Sequence, residues 1–217
     1  MKRNNLDQLV FENANEAFVY LYNNIMAYGE TQNDTKSIRN CGFYIMNPAD
    51  NKITAKFRKW NNKYAEREWT WYLSQSRSVE DLKKYAPIWD KMHSGDNIVN
   101  SNYGWQWNRN DQLRKCIEQL LIDKSSRRAS ISIFDGKEKD DYYYDTPCTM
   151  YINFSVQDNK LCMEVHMRSN DLVYGFCNDQ YCFSKLQMLV AKELDMETGY
   201  YFHFANNLHI YKRHFNL

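Results

Sequence analysis

Cys148 stands in "DTPCTM", between an acidic turn and the start of an alternating apolar pattern, and Arg168 follows twenty residues later in "MRSND". A thiolate, not a thiol, is the nucleophile, and a fixed guanidinium nearby favours that form. Upstream, Glu68 lies in "EREWTWYL", where aromatic neighbours can desolvate its carboxyl and raise its pKa toward acid–base duty. Near the end, "NNLHIYKRH" puts His209 and Tyr211 two residues apart, on one face of a strand. "SSRR" sets Arg127 and Arg128 side by side, a geometry suited to forked phosphate contacts. Asp171 and Asp179 fall eight residues apart in "MRSNDLVYGFCNDQY", an otherwise aromatic and apolar stretch. Taken singly, each has an ordinary reading: a solvated helix glutamate, a surface arginine pair, an inert cysteine, plain strand packing. Their order and spacing along one chain favour chemistry.

The rest of the chain bounds what that chemistry serves. At 217 residues it fits one domain spanning 1–217 and can bury a core. Aromatics are abundant while Gly (7) and Pro (3) are scarce, which argues against disorder. A net charge of +1 without a basic tail gives long nucleic acid no electrostatic support. No apolar run approaches a membrane span, and "MKRNNLDQLVFENANEAF" lacks a signal-peptide core, so a cytoplasmic protein is expected. The six cysteines show no paired CxxC spacing; reduced thiols are expected, and Cys177 with Cys182 lacks the partners a metal would need.

The site residues must be carried by elements. Apolar positions from Leu6 through Leu9, Val10, Ala14, Ala17, Phe18, Leu21 and Ile25 predict a helix stopped by Gly29. "CGFYIMNPADNKITAKF" predicts two strands about a turn. Helices are predicted over 62–75, 79–85, 87–93, 110–123 and roughly 180–195. Strands are predicted at "ASISIF", "TMYINFSV", "KLCMEVHMR" and "YYFHFANNLHIYKRHF". Grouped strands with helices between them, without strict βα alternation, indicate an α+β domain.

In family order, "EWTWYL", "IWDKM", "NSNYGWQW", "SSRR", "PC", "MRSNDLVYGFCND" and "LHIYKRHF" resemble the thymidylate synthase family, and within it the bacteriophage deoxycytidylate hydroxymethylases. The first 60 residues resemble it only in outline. The resemblance implies the family's α+β fold, a large mixed sheet with flanking helices, packed sheet to sheet in a homodimer. It implies that Cys148 attacks C6 of a pyrimidine nucleotide, making C5 nucleophilic toward the methylene of 5,10-methylenetetrahydrofolate, the co-substrate. Glu68 would handle proton transfers through water. Arg168 and Ser169 would hold the 5′-phosphate, joined by Arg127 and Arg128 from the other protomer. His209 and Tyr211 would bind the sugar hydroxyl, Asp171 would contact the pterin, and Trp89 and Tyr103 would line the folate pocket. No metal enters. A cytoplasmic location, in a phage-infected bacterial cell, is implied as well.

Counting eight residues on from Asp171 reaches Asp179, where thymidylate synthases carry an Asn that reads uracil. An Asn amide accepts from N3–H and donates to O4; cytosine offers the reverse pattern. A carboxyl can accept from N4 and, when protonated, donate to N3, so the resemblance implies dCMP. Asn178 directly precedes Asp179, and a one-residue slip would restore a uracil-type Asn. Met92 in "IWDKM", Thr149 after Cys148, and the ending "RHFNL" without the synthases' closing segment are departures that favour water over hydride at the last step. A 5-methyl-dCMP or thymidylate synthase-type methylation, and a nucleotide-binding homologue without turnover, are the alternatives.

Overall fold

Asn13 sets where the first helix begins. In the computed structural model, which describes residues 8–135 and 143–217, its side chain accepts the N–H of Glu16 at 2.9 Å and caps α1 (Ala14–Tyr28). Leu9–Phe11 lie outside that cap and form β1, parallel to Phe43–Ile45. The helix expected from Leu6 is corrected here: Leu9 and Val10 keep helical spacing with Ala14, but a cap and a strand partner outweigh periodicity. Leu6 itself lies outside the described residues.

After α1 come β2 (Glu30–Gln32) and the long β3 (Thr35–Ile45). The second strand expected at "KITAKF" does not form. Its backbone N–H groups are satisfied elsewhere, Thr54 and Ala55 both donating to Asn15 Oδ1 at 2.9 and 2.8 Å. Arg58 Nε donates to the Val173 carbonyl at 2.7 Å, and Gln180 Nε2 to the Asn51 carbonyl at 2.7 Å. The segment is a loop strapped to elements far along the chain.

Then follow α2 (Asn62–Ser74), 3-10 turns at Leu82–Lys84 and Pro87–Lys91 in place of the two expected short helices, and α3 (Tyr103–Asn108). Helix α3 escapes the periodicity because it is six residues long. Gly104 allows it: a Cβ there would sit 1.7 Å from the Tyr72 carbonyl oxygen, so α3 seats directly on the end of α2. The chain continues through α4 (Gln112–Ile122), β4 (Ser130–Ser132), β5 (Thr149–Gln157), β6 (Lys160–Met167) and β7 (Asn170–Asp171). A π-helical turn (Leu172–Phe176) leads into α5 (Cys177–Glu193), and β8 (Glu197–Tyr211) follows. The final strand stops at Tyr211, where Lys212–His214 turn as 3-10 instead of extending to Phe215.

The eight strands of the described residues form one mixed sheet in the order β1-β3-β8-β6-β5-β4, with β2 beside β3 and β7 beside β8. Helix α5 lies on its inner face, buried at Cys177, Tyr181, Cys182, Phe183, Leu186 and Val190, and Gln187 ties it to the carbonyls of Leu161 and Tyr200 at 2.9 Å each. The expected α+β architecture, a large mixed sheet with flanking helices, is the one observed. Strand alternation divides the residues: Tyr201, His203 and Ala205 are buried, while Phe202 and Phe204 between them are half-buried on the outer face. Tyr44, Tyr151 and His166 join Phe202 there, and the Tyr151 ring stacks on His166 with centroids 4.3 Å apart. That outer face is an aromatic surface with no helix upon it among the described residues.

Candidate active site

The twenty residues between Cys148 and Arg168 are a hairpin. Strands β5 and β6 pair antiparallel with Gln157 opposite Lys160, and Asp158 and Asn159 turn the corner with φ of 49° and 59°. Two successive left-handed residues make the turn that matches strand twist, and Asp and Asn tolerate that conformation best after glycine. A register shift between Thr149 and Tyr151 then aligns the open ends, where the Arg168 N–H donates to the Cys148 carbonyl at 2.9 Å. The nucleophile and its cation face each other across one ladder.

Every neighbour of that turn is tied down. Arg168 donates from Nη2 to the Thr146 carbonyl at 2.8 Å and from Nε to the Pro147 carbonyl at 3.0 Å, leaving Nη2 4.0 Å from Cys148 Sγ. The Tyr103 hydroxyl accepts both the Cys148 and Thr149 N–H groups at 3.2 Å. Buried Asp145 accepts the backbone N–H groups of Asn100 and Ser101 at 2.7 and 2.6 Å and the Ser101 hydroxyl at 2.6 Å. Burial pushes the Cys148 thiol up to about 11, against the pull of Arg168; nearby Asp179, Asp145 and Asp171 push the same way as burial. The thiol is stored protonated, so attack requires a partner for its proton.

Glu68 is that kind of partner. On α2 the buried positions are Ala65, Glu68 and Tyr72, one helical stripe, which turns the glutamate inward, only 6% exposed. The ordinary reading of a solvated glutamate does not apply. Its Oε1 accepts the Tyr72 hydroxyl at 3.3 Å, and Oε2 has no protein partner among the described residues. Burial and the Asp179 charge raise its carboxyl to about 8, opposed by the Tyr72 hydrogen bond.

Asp179, on the first turn of α5, keeps part of its surface open, yet the protein packed around the carboxyl desolvates it. That burial, with Asp171 adding repulsion, raises it to about 7 although the Asn170 hydrogen bond favours the ion. Asn170 Nδ2 donates to Asp179 Oδ2 at 2.8 Å. Gly175 makes room for this contact, since a Cβ there would stand 2.7 Å from Asn170 Nδ2 and 3.3 Å from Asp179 Oδ2. Asn178 turns elsewhere, its Oδ1 accepting the Trp60 indole N–H at 2.9 Å. Of the two neighbouring residues, Asp179 is the one grouped with Glu68 and Cys148. Two carboxyls raised toward neutrality and within reach of each other's charge titrate as a pair, and at neutral pH the pair holds a proton.

The other residues singled out fall into three groups. Asp171 and His209 are register partners in the parallel β7–β8 pair; Asp171 Oδ1 accepts the Val173 N–H at 2.9 Å, and the His209 and Tyr211 rings meet edge to face at 5.0 Å. The Tyr211 phenol is raised by burial first, then by charges that include Asp171 and, least of them, Cys148. Ser169 is half-buried at the corner between β6 and β7. Trp89 is buried with Val79, Leu82 and Val99 and donates its indole N–H to the Tyr64 hydroxyl at 2.9 Å. Tyr103 is buried and commits its hydroxyl to the cysteine turn. Arg127 and Arg128 are exposed beyond α4, and among the described residues of one chain neither contacts the Cys148 group. Sequence reasoning missed Asn170, Tyr64, Asp145 and the histidine behind Asn170. Only "ND" at 170–171 carried any signal, as a polar pair inside an apolar segment. No group of three or more His, Cys, Asp or Glu suited to a metal occurs among the described residues.

The sequence matches the thymidylate synthase family over residues 16–217. It is 34% identical over 173 residues to the deoxycytidylate 5-hydroxymethyltransferase of Enterobacteria phage T4, covering 72% of this chain and 70% of that protein. Thymidylate synthase 1 of Bacillus spizizenii is 30% identical over 171 residues, 75% of this chain and 61% of that protein. Among solved structures, the thermostable thymidylate synthase A from Bacillus subtilis is similar with a TM-score of 0.77 and 25% identity, over 93% of this chain and 81% of that one.

Proposed function

This chain belongs to the thymidylate synthase family, whose members are folate-dependent one-carbon transferases acting on nucleotides, and from that premise we propose that it is a deoxycytidylate 5-hydroxymethyltransferase. The observation that carries the proposal is Asp179: a carboxyl near neutrality, grouped with Glu68 and Cys148, while Asn178 is turned to Trp60. A protonated carboxyl donates to cytosine N3 and accepts from N4; uracil presents the opposite edge. The relative at 34% identity carries the hydroxymethyltransferase name, which agrees.

Cys148 Sγ forms a bond to C6 of dCMP as its proton passes to the carboxylate pair, and C5 becomes the nucleophile. 5,10-Methylenetetrahydrofolate supplies the one-carbon unit. C5 bonds to that carbon, Glu68 moves protons through water as the C5 hydrogen leaves, and the bond from the carbon to the folate nitrogen breaks, releasing tetrahydrofolate and leaving an exocyclic methylene. Water adds to that methylene, the thioether bond breaks, and Cys148 is regenerated. Arg168, Ser169, His209 and Tyr211 hold phosphate and sugar, and Asp171, Trp89 and Tyr103 form or support the folate side. Thymidylate synthases match at only slightly lower identity, so quenching by hydride is the competing outcome. The mass of the product, heavier by CH2O or by CH2, decides between them.

The phosphate site is completed by a second copy. The outer aromatic sheet face of Tyr44, Tyr151, His166, Phe202 and Phe204 is the surface a partner sheet would cover, and exposed Arg127 and Arg128 would reach the partner's phosphate site. Mixing Arg127→Ala chains with Cys148→Ala chains, each nearly inactive alone, should return up to about a quarter of the parent activity, since half of randomly exchanged dimers hold one intact site. No recovery despite demonstrated exchange contradicts the shared site.

A further inference from the structure

Behind Asp179 runs a buried chain of polar groups that no part of the proposed chemistry uses. Asn170, 2% exposed, gives Nδ2 to Asp179 and turns Oδ1 toward His203 Nε2 at 3.2 Å. His203 is fully buried between the Phe43 and Phe176 rings, and its Nδ1 lies 2.8 Å from the Tyr201 hydroxyl. Donors and acceptors fix the protons. With Nδ2 donating, Asn170 Oδ1 is an acceptor, so His203 Nε2 must carry hydrogen. A neutral imidazole then has a bare Nδ1, which accepts from the Tyr201 hydroxyl. Every donor in the chain points toward Asp179.

We propose that His203 is a positioning residue that locks the Asn170 amide and thereby keeps the Asp179 proton on Oδ1, the oxygen left free to read a base. The consequence for base choice rests on the cytosine reading of the site. Without the His203 N–H, the amide is free to rotate and present its own oxygen to Asp179 Oδ2. That oxygen demands a donor, drawing the carboxyl proton to the wrong side and leaving Oδ1 an acceptor only. An acceptor facing cytosine N3 is a mismatch. The groups facing Asp179 are Glu68 from α2, Asp171 from β7 and the thiols of Cys148 and, on α5, Cys177 and Cys182, with the phenols of Tyr64, Tyr72, Tyr103 and, from β8, Tyr201 around them. The charge facing His203 is His166 on β6, and burial ahead of it holds the imidazole at about 3, neutral throughout the working range.

Three readings test this, two without substrate. In the parent protein, 15N NMR should show His203 neutral with hydrogen on Nε2 from pH 5 to 8; hydrogen on Nδ1, or titration in that range, overturns the proposal whatever the variants do. In His203→Phe, which keeps the aromatic packing, the Asp179 carboxyl followed by 13C NMR should titrate at higher pH than in the parent, because an acceptor replaces the Asn170 donor. The dCMP-to-dUMP ratio of kcat/KM should fall about tenfold, and His203→Gln, which restores an N–H, should recover part of it. Unchanged Asp179 titration in a folded His203→Phe protein contradicts the lock. If the parent proves inactive on dCMP, the cytosine reading fails alone, and the tautomer and titration results still decide the lock.

Discussion

Cys148→Ala should lose the release of the C5 hydrogen from dCMP by a factor on the order of 10^4 or more, because no other group can form the C6 bond. Binding of dCMP should change little. Arg168 holds the turn through the carbonyls of residues 146 and 147, which the substitution leaves in place, and Tyr103 holds the backbone N–H of residue 148 itself. Removing one sulfur from a half-buried position costs at most about 1 kcal/mol of packing. The loss should therefore appear in kcat with KM nearly unchanged. Tritium release from C5-labelled dCMP in the presence of 5,10-methylenetetrahydrofolate measures it. Turnover near the parent rate in Cys148→Ala would remove the covalent step from the mechanism.

Asp179→Asn should exchange the base. The amide donates to uracil O4 and accepts from N3–H when the Asn170 amide and the His203 tautomer behind it reverse to face the new NH2, whereas toward cytosine in that orientation its donor meets the N4 donor. A mispaired buried contact costs roughly 1–3 kcal/mol, so the dCMP-to-dUMP ratio of kcat/KM should shift about ten- to a hundredfold toward dUMP. The pH profile carries an independent sign. Asp179 is raised to about 7, so its proton is present below that pH and lost above it, and kcat/KM for dCMP should decline as pH rises through neutrality. Glu68, raised to about 8, is coupled to Asp179, so the parent profile belongs to the pair. The amide introduced by Asp179→Asn has no proton to lose, and the variant's profile should keep only the Glu68 part. Asn178→Asp is the control, since that side chain is engaged with Trp60 and should leave base choice nearly unchanged. A shift produced by Asn178 substitutions and not by Asp179→Asn would make this a uracil-specific protein.

The sequence was legible where local pattern and final structure agree. Leu161, Met163, Val165 and Met167 alternate in β6 and are all fully buried, and α2 appears within a residue of its expected limits. Glu68 could be suspected because three aromatics surround it within one helical stretch. What escaped was decided by partners distant in the chain. Residues 52–57 look like a strand, yet the N–H groups of Thr54 and Ala55 go to Asn15, and the next residue, Arg58, is tied to the π turn before α5. Leu9 and Val10 look helical until Asn13 caps α1 behind them. His203 reads as one more ring in an aromatic strand, and only the fold brings it to Asn170, 33 residues earlier. A motif can be read from neighbours in sequence; the polar chain that orients its carboxyl cannot.

The central claim, a cytosine-reading site that quenches its intermediate with water, meets its most direct test in one measurement. Parent protein is incubated with 5,10-methylenetetrahydrofolate and either dCMP or dUMP, and the nucleotide products are weighed by mass spectrometry. The claim requires product from dCMP, heavier than substrate by CH2O, and far less from dUMP. A product heavier by CH2, or one formed preferentially from dUMP, contradicts it.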